Sequence, residues 1–97
     1  MVLDYTILRV KTDSSPNRLA SAIVGMKNDD VNFYLQCIGN GAIGQATKAI
    51  AIANNLVAKD GVKFLAEPVF VDLEVDNKER TGIRIFLTTA TAEKENN

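Results

Sequence analysis

The sequence predicts a two-layer α/β sandwich, a four-stranded mixed sheet with both helices on one face, in the order β-α-β-α-β-β. Two observations carry that expectation. Residues 5–12 and 31–38 are short runs rich in β-branched and aromatic side chains, and each leads into a stretch whose apolar residues recur at helical spacing. After the second such stretch the chain offers two further apolar runs separated by polar residues, which reads as a hairpin. Strand-helix-strand connections make parallel neighbours and a closing hairpin adds an antiparallel pair, hence a mixed sheet. A chain of 97 residues has room for one hydrophobic core, so residues 1–90 are expected to form a single domain.

The first strand, 5–12, reads Tyr-Thr-Ile-Leu-Arg-Val-Lys-Thr. In Ser14-Ser15-Pro16-Asn17, Ser15 can accept an N–H bond as N-cap, and Pro16 fills the first helical position, where its missing donor costs nothing. Leu19, Ala20, Ile23, Val24 and Met26 carry that helix on until Asn28-Asp29-Asp30 breaks the pattern. The second strand sets Val31, Phe33, Leu35 and Cys37 on one face. An alanine-rich stretch then runs to about Val57 and should be the longest helix, ended by Asp60-Gly61. Ile43, Ala46, Ile50, Ala53 and Val57 form one stripe on it, while Ala49, Ile52 and Leu56 widen the apolar arc beyond what one sheet contact needs. That surplus asks for the first helix or another subunit, and makes Ala49, Ile52 and Leu56, together with the final hairpin, the expected dimer interface. The hairpin strands are Val62–Val75, where Pro68 signals a bulge or a sheet edge, and 83–90, joined by a polar turn over 76–82. Residues 91–97 hold no large apolar side chain and are expected to be a solvated tail.

Composition narrows the function. With 46% hydrophobic and 24% charged residues the chain is not of the disordered class. No apolar run reaches the roughly 18 residues of a membrane span, and Met1-Val2-Leu3-Asp4-Tyr5 lacks the start of a signal peptide, so a cytoplasmic protein without membrane contact is expected. The lone Cys37 reads as a small core residue. Without histidine, and with a single thiol, there is no ready general base or activated nucleophile; the chain is expected not to be an enzyme and to need no cofactor or metal. Asp72 and Glu74, two apart on a strand, read as a solvated face. Eleven basic against twelve acidic residues give a net charge of −1, too little for global attraction to nucleic acid. The distribution matters more. Acids gather at Asp29-Asp30, between Glu67 and Glu79, and at Glu93 and Glu95, whereas Arg9, Lys11, Arg18 and Lys48, with Lys78, Arg80 and Arg84 around the last turn, leave room for a local basic face.

Gly39, Gly41 and Gly44 satisfy G-x-G-x-x-G between a strand and a helix, the spacing of a dinucleotide fingerprint. A nucleotide fold needs further strand-helix units, and this chain turns into a hairpin instead. Two physical readings remain open. Backbone N–H groups at a helix start favour an anion such as a phosphate, and glycines also permit a sharp turn and close packing without any ligand.

Ser14-Ser15-Pro16-Asn17 after a strand, Ile38-Gly39-Asn40-Gly41-Ala42, Gln45-Ala46, Lys48-Ala49, Ala51-Ile52-Ala53 and then Glu79-Arg80-Thr81 before the last strand resemble the stage V sporulation protein S family of bacteria, in order and spacing from about Ile7 to Leu87. The resemblance implies an Alba-like fold and a small regulatory protein of sporulation or development that binds nucleic acid, DNA or RNA, as a dimer. Carried over position by position, it implies contacts at Ser14, Ser15, Asn17 and Arg18, at Gly39, Asn40, Gly41, Gln45 and Lys48, and at Lys78 and Arg80 in the arm between the last strands. Where archaeal Alba proteins carry a lysine pair in the first of these loops, this chain has serines and asparagine with only Arg18 nearby, and its arm mixes Asp76 and Glu79 with the basic residues. That shifts the expectation from duplexes toward single strands, RNA or a protein partner. Binding is expected to run through phosphates with little base contact, because the aromatic residues, Tyr5, Phe33, Tyr34, Phe64, Phe70 and Phe86, are few and lie mostly in strands. The alternative is a protein-protein adaptor on the same fold, in keeping with the net charge and the wide apolar arc.

Overall fold

The computed structural model of the protein describes residues 4–92. Its elements are β1 (Thr6–Val10), α1 (Pro16–Asn28), β2 (Phe33–Cys37), α2 (Asn40–Val57), β3 (Val62–Val75) and β4 (Lys78–Thr91), with a 3-10 turn, Ala58–Asp60, after α2. The sheet order is β1-β2-β4-β3. β1 and β2 run parallel, and β4 lies antiparallel to both β2 and β3. This is the mixed sheet and element order the sequence predicts.

Side-chain alternation divides the sheet into two faces. Phe33, Leu35 and Cys37 of β2, with their register neighbours Leu8, Val10, Ile83 and Ile85, meet Ala20 and Ile23 of α1 and the alanines of α2 in one core, so both helices cover this face. α1 starts as its sequence requires: the Ser15 hydroxyl accepts the Arg18 N–H at 3.3 Å and Pro16 follows as the first helical residue. On α2 the buried line is Ala42, Ala46, Ala49, Ala53 and Val57. The stripe expected through Ile43 and Ile50 is therefore rotated. The small residues sit at the closest approach of helix to sheet, and the two isoleucines flank them, half-buried. Past the 3-10 turn, Gly61 takes φ +71°, a left-handed cap, and its N–H donates to the Ala58 carbonyl. The Asn54 side-chain Oδ1 accepts the Phe64 N–H at 2.7 Å and fixes α2 to the start of β3.

Two expectations need correction, and a third is narrowed. The polar turn over 76–82 is only two residues long: Asp76 and Asn77, at φ +52° and +64°, link the paired residues Val75 and Lys78. Asp and Asn tolerate the left-handed region, and two such residues in succession match the twist of a tight hairpin, so pairing continues through residues without large apolar side chains. The last strand accordingly begins at Lys78, not at 83. The tail expected from 91 begins later, because Thr91 still pairs with Val62 and the Ala92 N–H donates to the Gly61 carbonyl; the rest of that tail, 93–97, lies outside the described residues. Pro68 marks an edge without a bulge, since β3 is the edge strand and its pairing with β4 is unbroken.

β2 pairs with β4 only from Ile83 to Phe86. Residues 71–75 and 78–82 therefore run beyond the end of β2 as a two-stranded arm. Fourteen-residue strands reach about 46 Å at the usual rise, which accounts for most of the molecule's 52 Å long dimension.

Candidate nucleic-acid interface

Parallel pairing brings the ends of β1 and β2 to the same edge of the sheet, so the β1-α1 loop and the start of α2 lie side by side. Gln45 donates its amide N–H to the Ser14 carbonyl at 2.9 Å, and a Cβ on Gly41 would fall 2.7 Å from the Thr12 hydroxyl oxygen. The arm leaves from this same edge, because Ile83 pairs with Cys37 at the end of β2. The β1-α1 loop, the start of α2 and the root of the arm thus lie at one end of the molecule, with Lys78 and Arg80 further out along the arm. A hollow of about 540 Å³, lined in part by Lys27, Asp30 and Phe64, lies at the opposite end.

The residues in these segments divide by what already holds them. The Ser14 hydroxyl accepts the Lys11 N–H at 2.8 Å and closes the loop. Ser15 caps α1, and the Gln45 amide is tied to Ser14. These three shape the surface. Asn17, Arg18, Asn40, Lys48, Lys78 and Arg80 are exposed. Among the glycines, Gly39 takes φ +89° at the N-cap of α2, which no side chain caps, and Gly41 leaves room for Thr12. Gly44 meets nothing within 4 Å. The close helix-strand contact that the third glycine of a dinucleotide fingerprint provides is absent at Gly44. The motif is a turn and a loop seat with uncapped N–H groups at the helix start.

Charge on the sheet is sorted by face. The register puts Arg9, Lys63, Lys78, Arg80 and Arg84 on the face away from the helices, with Glu67 as the single acid there among the strand residues. Asp72, Glu74 and Glu79 all alternate to the opposite side. The mixture of signs expected on the arm is therefore a mixture in sequence only; in space one side is basic. Beside it, a groove of about 480 Å³ is lined by Arg9, Lys11, Gln36, Ile38, Leu73, Glu74 and Val75. Arg9, Lys11 and Arg84 are absent from the contact residues named from the sequence. Period-two alternation around the true turn at Asp76-Asn77 is the signal that finds Arg84.

The family model described as Stage V sporulation protein S (SpoVS) matches residues 6–90. The chain belongs to the stage V sporulation protein S family. Among solved structures it is similar to Alba from Thermoplasma volcanium, with a TM-score of 0.57 and 17% identity over 89% of this chain and 99% of that one. The likeness shows an Alba-like fold for this family member.

The three residues expected at a dimer contact do not form one surface. Ala49 has no exposed area, because it lies on the line of α2 pressed into the chain's own core. On the helix, Ile52 and Leu56 fall on the flank that carries Gln45, toward α1; Ile52 packs on the core and Leu56 is 47% exposed. The uncovered apolar surface is on the other flank, a groove of about 350 Å³ lined by Ile43, Thr47, Ile50, Ala66, Pro68, Ile83 and Ile85. Phe70, which pairs with Ile83 on this face, is 82% exposed. Cys37 is fully buried beneath the helices, and burial pushes its thiol pKa up, so it stays protonated and unreactive near neutral pH. Among the described residues no helix is long and apolar enough to cross a membrane, and no three metal-ligating side chains converge.

Proposed function

We propose that this protein is a small bacterial regulatory protein of sporulation or development that binds nucleic acid through phosphate contacts, as a homodimer, and performs no catalysis of its own. The observation that carries this reading is that the β1-α1 loop, the uncapped start of α2 and the root of the arm lie at one end of the sheet, with α2 on its helix-covered face and the arm's basic side on the opposite one. Lys48 and Arg80 supply charge there, while N–H groups near Gly41 and the Asn17 side chain orient the backbone. The second copy docks on the apolar groove beside α2, each Phe70 seated against its partner in a twofold contact.

Binding is modest and depends steeply on salt. With about three phosphates neutralised per chain in a dimer, log affinity against log salt has a slope of about −4 to −5. Lys48→Ala and Arg80→Ala each make the slope shallower by about 0.7 to 0.9 for every phosphate left without its cation, and weaken all sequences alike. Anisotropy titrations of single- and double-stranded DNA and RNA at low and physiological salt measure this. A double variant that stays folded and binds every nucleic acid as well as the parent removes this surface from consideration. The apolar groove also suits an adaptor, and the same titration separates that reading, since an adaptor binds none of the four.

A further inference from the structure

The face of the sheet away from the helices is uncovered, yet it is neither polar nor bare. Tyr34 lies on it and is only 8% exposed, because its neighbours on the same face close over it. The Tyr5 and Phe86 rings have their centroids 5.9 Å apart and stand 5.9 and 5.3 Å from that of Tyr34. The Arg84 guanidinium lies 4.8 Å over the Tyr34 ring and donates from Nε to the Gln36 side-chain Oε1 at 3.3 Å. Tyr5 remains 45% exposed and Phe86 is partly exposed, so each has ring surface to offer. Ile7, Leu65, Val69, Val71 and Leu73 share the face by register.

We infer that this open face is a platform for single-stranded nucleic acid, on which bases stack against Tyr5 and Phe86 while Arg9, Arg84, Arg80 and Lys78 run beside the phosphates. The inference rests on the nucleic-acid reading above and adds the strand form and the stacking residues. Charge complementarity selects the occupant. Five basic residues against Glu67 favour a polyanion, and aromatic rings among them favour one whose π faces are free, which a duplex does not offer. Arg84, fixed in plane by Gln36 and Tyr34, keeps N–H donors for phosphate without reordering a long side chain on binding.

The chain has no tryptophan and only two tyrosines, Tyr5 and Tyr34, so intrinsic fluorescence reads this face directly. The test titrates the protein with a mixed-sequence oligonucleotide of about 16 nucleotides, the upper end of single-strand site sizes, and with its duplex, following tyrosine emission and affinity. Quenching by the single strand is expected. Tyr5→Leu and Phe86→Leu, which keep apolar bulk but remove the π face, lower single-strand affinity by about 5- to 150-fold, the loss of one base-aromatic stack, and leave duplex affinity unchanged. If the parent binds neither form, the nucleic-acid reading fails and the platform with it. If it binds while tyrosine emission is unquenched and both variants match the parent, the platform falls and the phosphate surface stands. Quenching by vesicles of anionic lipid, and by no oligonucleotide, would give the face to a membrane surface and overturn the platform. The emission change of the parent needs no variant, so a variant that fails to fold leaves the test intact.

Discussion

Gly82→Val loosens the arm at its root and lowers the stability of the domain by about 1 to 3 kcal/mol, the usual cost of forcing extra volume into a packed site. A Cβ at Gly82 would lie 2.7 Å from the Cys37 carbonyl oxygen, 3.1 Å from Leu73 Cδ1 and 3.3 Å from Ile38 Cγ1. The first of these is backbone of the central strand β2, whose Cys37 is fully buried, so it cannot yield without disturbing the core. β4 must move instead. Urea unfolding measures the stability change, and hydrogen exchange of the amides in 71–75 and 78–81 reports the arm. Parent-like stability with a protected arm would contradict the close approach of β4 to β2. Because Lys78 and Arg80 ride on the arm, the same substitution also weakens nucleic-acid binding, and more than Arg80→Ala alone.

Phe70→Asp dissociates the proposed dimer. Phe70 is the most exposed large apolar side chain among the described residues, so its replacement costs the folded chain little, but in a twofold contact it places an unpaired charge against the partner's groove twice. An aromatic anchor at an interface centre carries about 2 kcal/mol or more on truncation, about a 30-fold rise in the dissociation constant. Light scattering at tens of micromolar, a range chosen to cover ordinary dimers, should give a dimer for the parent and a monomer for the variant. A monomeric parent at that concentration refutes the contact. Ile52→Asp is the contrasting case: it strikes the flank of α2 that faces α1, and its effect falls on the fold.

Local chemistry makes most of the fold legible. Ser15 and Pro16 announce α1, the alanine-rich run announces α2, and the alternation at 31–38 announces β2, all through neighbours a few residues apart. The arm escapes this reading where the apolar pattern stops. Lys78 to Gly82 looks like loop because no core face constrains it, and the left-handed pair Asp76-Asn77 that sustains pairing has weak sequence specificity. One consequence is that acids and bases of the arm look interleaved in the sequence when strand alternation separates them. The exposure of the residues expected at a dimer contact is hidden for a related reason. Helical periodicity finds a wide arc but not which flank the second helix covers, and the Gln45-Ser14 bond that fixes this joins positions 31 residues apart. Phe70 and Pro68 become surface through the edge position of β3, a fact of sheet order. Tyr5, Tyr34 and Phe86 lie on three separate segments, and only the β2-β4 register makes them neighbours.

A map of amide chemical-shift changes, recorded as isotope-labelled protein is titrated with a single-stranded oligonucleotide at low salt, locates the nucleic-acid surface residue by residue. Binding at the end of the sheet predicts large changes at Arg9, Lys11, Gly41, Lys48, Arg80 and Arg84, fading as salt rises, and the stacking platform adds Tyr5, Tyr34 and Phe86. Changes confined to the hollow by Lys27 and Asp30, or none at any ratio, would contradict it.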